Sequence, residues 1–169
     1  MTNNIQTADL ATVKKDRMRF KTNSLSSNLA LLAVVLNVLY FVCIYKSDVS
    51  TYYYTYMIGL SVMYNLVFML AAFLSSIGVK NYKMKFSIVL IVIGALQIVR
   101  IFGIPMNAFN TMITIAGEER RVMSEYQFIR TLVYLISSSA LLIAAGVIGI
   151  IRTKILENYK RQIGEEQPA

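Results

Sequence analysis

A chain of 169 residues with 56% apolar content, a mean hydropathy of +0.55 and a formal net charge of +8 is too apolar for a water-soluble domain of its size. Histidine is absent and Cys43 is the single cysteine. That composition excludes the usual zinc, haem and iron–sulfur ligand sets, Cys/His nucleophile pairs and any intrachain disulfide, so the chain reads as a non-enzyme with no catalytic residue, metal or cofactor.

Four spans are predicted, at 25–45, 57–78, 86–106 and 127–151, between a basic N-terminal tail over 1–24 and a C-terminal tail over 152–169. The fold class is therefore an all-α integral membrane protein, with the four transmembrane helices in an antiparallel bundle. Its charge follows a membrane topology and calls for no nucleic acid. Lys14, Lys15, Arg17, Arg19 and Lys21 precede the first span, Lys80, Lys83 and Lys85 separate the second from the third, and Arg152, Lys154, Lys160 and Arg161 follow the fourth. The other side carries only Lys46, Arg120 and Arg121, set against Asp48, Glu118, Glu119 and Glu125. The positive-inside rule then puts both termini in the cytoplasm, and the cell membrane is the expected location.

In chain order, the tail reads as a disordered segment, with Leu10, Val13, Met18 and Phe20 offering the alternative of one weak apolar side of a short helix at the lipid surface. The first span lacks a small-residue cleavage pattern and reads as a signal anchor, with Cys43 as a buried apolar thiol. Tyr52, Tyr53, Tyr54 and Tyr56 precede the second span and suit a headgroup belt. The turn from Val79 to Lys85 is short, which makes the second and third helices close neighbours. Gly103 and Pro105 mark an end or kink of the third helix. The outer loop begins apolar, from Ala108 to Ala116. Glu118, Arg121 and Glu125 then sit at helical pairing distances, so the fourth helix is expected to start early. Within it, Ala140 with Ala144 and Ala145 with Gly149 have the four-residue spacing of small residues that lets helices approach closely.

The third span holds the most expensive residue. A charge near the centre of a spanning helix costs roughly 2.5–3.5 kcal/mol on insertion scales, so Arg100 needs a neighbour, a cavity or an interface. Counted inward from the predicted outer ends, Asn37, Asn65 and Gln97 all fall roughly 12–14 Å deep, with Tyr134 at about 10 Å and Arg100 and Arg130 further out. These six residues are the candidate polar layer for a ligand or partner, with Gln97 and Tyr134 as the expected neighbours of Arg100. Two functions follow. One is a non-catalytic subunit or accessory component bound to the bilayer and to another membrane protein or a further copy of itself. The other is a small oligomeric transporter or channel with a site near Arg100 for an anionic solute or lipid headgroup.

The topology is checked by a cysteine introduced at Asn110 in a Cys43→Ser background, which is expected to react with a membrane-impermeant maleimide added to intact cells. Labelling only after lysis would reject the orientation.

Overall fold

The computed structural model describes residues 12–45, 55–115 and 117–164. The tyrosines at 52–54, the side chain of Tyr56, Leu10, Lys46 and Asp48 lie outside them. A helical stretch over 12–20 leads into α1 (Ser24–Tyr45), followed by α2 (Thr55–Lys80) and α3 (Met84–Val99). After α3 come a 3₁₀ turn (Arg100–Phe102), α4 (Ile104–Asn110), the strands β1 (Met112–Ile115) and β2 (Glu118–Arg121), and finally α5 (Glu125–Gln162). Four helices are long and apolar enough to cross a membrane, the third candidate running from Met84 through the 3₁₀ turn to Asn110.

The helices pack in a ring in which α5 lies against α1 and α3, while α2 closes the other side against the same two helices. Small side chains make this possible. The buried seam of α1 is Ser26, Ser27, Ala30, Ala33 and Asn37, and Ser26 donates a hydrogen bond to the Ala145 carbonyl oxygen of α5. Between α3 and α5 the approach is closer still. A methyl group built on Gly146 would lie 2.7 Å from the Ser87 carbonyl oxygen, and one on Gly94 would lie 3.2 Å from the Ser139 carbonyl oxygen. Large apolar side chains such as Leu32, Val35, Leu66, Leu70, Val92 and Val133 are exposed on the outside of the ring, as a lipid-facing surface requires.

Two apolar cores result. One joins Ala30, Ala33, Phe68, Ala72, Leu90, Ile93 and Leu142. The other joins Tyr40, Ile44, Ala108, Val122, Met123 and Leu135 beneath the hairpin.

Several boundaries differ from expectation. The third helix is broken, because Gly103 leaves helical geometry and Pro105 has no N–H for a continuing ladder; Gly103 N–H turns back to the Arg100 carbonyl oxygen at 3.1 Å. The charged segment at 118–121 is a strand rather than an early start of the fourth helix. Its partner Met-Ile-Thr-Ile is rich in β-branched residues, and Gly117 takes a φ of +88° in the turn. Glu118 and Arg121 consequently lie opposite Ile115 and Met112 instead of pairing along a helix. The last helix begins at Glu125, where Ser124 and Gln127 form a reciprocal capping box. It runs past Ile151 to Gln162, so most of the expected C-terminal tail is helix.

The packing stripe also needs correction. Ala145 and Gly149 are buried, but Ala140 and Ala144 are exposed, and the close contact uses Gly146 instead. Gly146→Ala is therefore expected to lower stability by about 1–3 kcal/mol through backbone overpacking, whereas Ala144→Leu stays within about 0.5 kcal/mol. Thermal unfolding of both variants in detergent checks the difference, and equal losses would remove the close-contact assignment.

Candidate functional site

The polar layer takes shape from three helices rather than four. Asn37 on α1, Gln97 on α3 and Ser138 on α5 are 2%, 0% and 0% exposed, and each bonds the others. Gln97 Nε2 donates to Asn37 Oδ1 at 2.6 Å and to Ser138 Oγ at 3.1 Å. Asn37 Nδ2 donates to Ser138 Oγ at 2.8 Å and to the Ala33 carbonyl oxygen at 3.3 Å. Ser138 Oγ completes the knot by donating to that same carbonyl oxygen at 2.9 Å. Both amide nitrogens are thus fully used, and only Gln97 Oε1 lacks a partner.

The other candidates are elsewhere. Asn65 is buried on α2 but its Nδ2 returns to the Ser61 carbonyl oxygen of its own helix at 2.9 Å. Arg130 is exposed near the start of α5, where its Nε donates to the Tyr134 hydroxyl at 2.9 Å. This is an i, i+4 pair whose Tyr134 ring is partly buried against the apolar core around Tyr40, and the Tyr134 hydroxyl is met by Arg130 rather than by Arg100. Asn65 shares its depth along the helix with Asn37 and Gln97 but not its direction around the helix.

Arg100 occupies its own chamber. It is the first residue of the 3₁₀ turn, three residues after Gln97, and its guanidinium lies over the Tyr40 ring at 4.3 Å. Tyr64 and Phe68 of α2 stand at 5.4 and 5.7 Å, giving the charge aromatic faces from two helices. Nη1 and Nη2 are buried and, among the described residues, have no hydrogen-bond partner. Gln97 is not a partner of Arg100, since its amide points to α1 and α5.

A cavity of about 450 Å³ adjoins this charge. Arg100, Tyr40 and Tyr64 form part of its wall, Leu60 and Ser61 come from α2, and Gly103, Ile104 and Pro105 from the break in the third span. Tyr40 lies five residues from the last residue of α1, Tyr45, and Tyr64 nine from the first of α2, Thr55, which places the chamber about 7–14 Å inside those helix ends at 1.5 Å per residue. Tyr64 is 46% exposed, so its ring is the open side of the cage. The break, the cage and the cavity were not foreseen as one site. Gly103, Pro105 and Arg100 within six residues were the available signal.

At the other end of this half of the molecule, Arg121 of β2 lies 4.4 Å over the Phe109 ring, which stacks on Phe128 at 4.4 Å. The hairpin is thereby fixed over α4 and α5. Among the described residues no group of His, Cys, Asp and Glu side chains is placed to hold a metal ion.

No protein-family model matches the chain, no curated protein matches it and no solved structure matches it. The geometry therefore carries the functional argument by itself.

Removing the Ser138 hydroxyl leaves both amides of the knot short of an acceptor. Ser138→Ala is expected to lower stability by about 1–3 kcal/mol, and Asn37→Leu to lose little more when added to Ser138→Ala. A double-mutant cycle in thermal or denaturant unfolding measures this coupling, and strictly additive effects would show that the three groups act separately.

Proposed function

We propose that this chain is a non-catalytic accessory component of a membrane complex, built to hold an anionic group at Arg100. One observation carries the reading: a guanidinium whose two terminal nitrogens are buried without a partner, next to a cavity of ligand size. Aromatic faces return only about 0.5–2 kcal/mol to a cation, while burying an ion costs several kcal/mol even after the protein relaxes. The imbalance is relieved by a carboxylate or phosphate, which the planar guanidinium can meet with two parallel hydrogen bonds. Leu60, Ile104 and Pro105 give the rest of the cavity an apolar wall, which favours an anion carried on a hydrocarbon chain. Rotation of Tyr64 admits its headgroup to Nη1 and Nη2.

The chamber belongs to the outer half of the bilayer, in an antiparallel bundle with both termini cytoplasmic and the cell membrane as its location. Supporting this, the pairs Ser26 with Ala145, Asn37 with Ser138 and Cys43 with Thr131 ascend along α1 as they descend along α5. The twelve basic residues of the tails and the turn gather at one end of that arrangement.

A small oligomeric transporter for the same anion class is the second reading. The break at Gly103 favours it, because irregular backbone at membrane depth lines binding sites in transporters. Passage of the anion through proteoliposomes containing the purified chain would select this reading over the accessory one.

Dodecyl phosphate, added to the protein in a neutral maltoside detergent, is expected to raise the melting temperature of the native chain. Arg100→Lys should respond less and Arg100→Gln not at all. Without the additive, Arg100→Gln should melt no lower than the native chain, because an uncompensated buried charge has been removed. A marked loss of stability in Arg100→Gln, or an undiminished response to dodecyl phosphate, would overturn the proposal.

A further inference from the structure

A second cavity, of about 470 Å³, lies at the opposite end of the bundle, between the helical stretch over 12–20, the turn after α2 and the 148–155 stretch of α5. Its cationic side chains are Lys14, Lys21 and Arg152. Its apolar floor comes from Met18 and from Ile148, Ile151 and Ile155, which follow one another at the three- and four-residue steps of a single helix face. Thr22, Ser24 and Tyr82 add hydroxyl groups, and among the described residues no acidic side chain lines the space. Asp16, the acidic residue on the same helical stretch, pairs with Arg19 at 3.2 Å instead.

The cavity is anchored to the bundle. Arg152 Nη1 donates to Asn23 Oδ1 at 2.9 Å, and Asn23 N–H donates to the Lys80 carbonyl oxygen at 2.9 Å. These two bonds tie the segment before α1 to the end of α2 and to Arg152 of α5. Tyr82 adopts a φ of +55°, a left-handed backbone unusual for a tyrosine, at the turn that brings its ring into this wall. Partial burial raises the Tyr82 phenol above its usual range, and the nearby Arg152 charge opposes that rise.

We propose that this cavity binds an anionic phospholipid of the adjoining leaflet, its phosphate held among Lys14, Lys21 and Arg152 and the start of its acyl chains lying over Ile148, Ile151 and Ile155. The level is right for such a ligand, since Ile151 closes the apolar part of α5 and Arg152 opens its basic part. Cations and hydroxyl donors are the groups that bind a phosphodiester, and basic pockets beside spanning helices are where anionic headgroups collect. The isoleucine floor separates a lipid from free phosphate, which gains nothing from apolar contact. This site is independent of Arg100, which lies at the far end of the bundle.

The test uses the full chain in a neutral maltoside detergent, titrated with dioctanoyl phosphatidylglycerol, dioctanoyl phosphatidylcholine or inorganic phosphate and read by native mass spectrometry. Phosphatidylglycerol is expected to bind, with phosphatidylcholine and phosphate both much weaker. Lys14→Gln with Lys21→Gln removes two exposed cations, and should weaken phosphatidylglycerol by about tenfold or more, a factor of roughly five for each surface charge. Arg152→Gln should weaken it as well. The control, Lys83→Gln with Lys154→Gln, changes the net charge equally at residues that do not line the cavity and should have little effect. Equal losses in the two double variants, binding of phosphatidylcholine or phosphate as tight as that of phosphatidylglycerol, or no loss in Lys14→Gln with Lys21→Gln would each overturn the proposal.

Discussion

The hydroxyl of Ser138 is the point on which the bundle depends. In hydrocarbon a side-chain amide has no water to fall back on, and leaving one unpaired costs several kcal/mol. Ser138 Oγ accepts from both Asn37 and Gln97 and donates to the Ala33 carbonyl oxygen, so one small group satisfies polar atoms from three helices. Sliding α1 or α3 along α5 by one residue would break these bonds together. The knot therefore sets the vertical register that apolar side chains alone define weakly, and it divides the interior into the two apolar cores on either side of it. The close contacts at Gly94 and Gly146 follow from the same register, each on the α3 and α5 faces that Ser139 and Ser87 also share.

With Gln97 committed to α1 and α5, the position of Arg100 is constrained. Three residues further on, and already in the tighter 3₁₀ geometry, its side chain reaches the side of the ring where α1 meets α2. Tyr40 belongs to the upper core and to the cage around Arg100 at once, so the charge is held against a wall that folding itself builds. Gly103 and Pro105 then turn the following segment aside as α4, and the cavity lies at that break. A straight helix would have carried Ile104 and Pro105 onward over the same face.

Much of this was legible in the sequence, within physical limits. Span positions follow from apolar runs and from basic flanks, because the transfer cost of a charge is large and nearly independent of the neighbours. Depth is similarly readable: counting puts Asn37 and Gln97 on one level, and their two amides bond each other. Direction around the helix is set by which faces pack, so the same counting also admitted Asn65 and Tyr134, whose partners lie on their own helices. Small-residue spacing has the same blind spot: Ala140 and Ala144 match the pattern of Ala145 and Gly149 but occupy an exposed face. In the outer loop, charge spacing suggested helix, yet the β-branched run at 112–115 and the left-handed Gly117 gave a hairpin. A local pairing preference of about 0.2–0.5 kcal/mol cannot outweigh a turn and a ladder of backbone bonds.

The two intramembrane arginines test whether Arg100 is simply a tolerated charge. Both lie toward the same end of the bundle and both have tyrosine neighbours. Arg130 behaves as a tolerated charge does, exposed close to the helix start with its Nε bonded to a hydroxyl one turn away. Arg100 could reach a comparable state by extending along its own helix, but the chain bends at Gly103 and the side chain lies under Tyr40, Tyr64 and Phe68 instead. Aromatic faces recover only part of the desolvation energy, and a methionine in the same space would pack without that penalty. The small-residue contacts of α1 and α3 with α5 and the Asn37–Gln97–Ser138 knot are made without that charge. What sets Arg100 apart from Arg130 is therefore its surroundings, two buried terminal nitrogens under three aromatic rings and beside a cavity, where Arg130 is exposed.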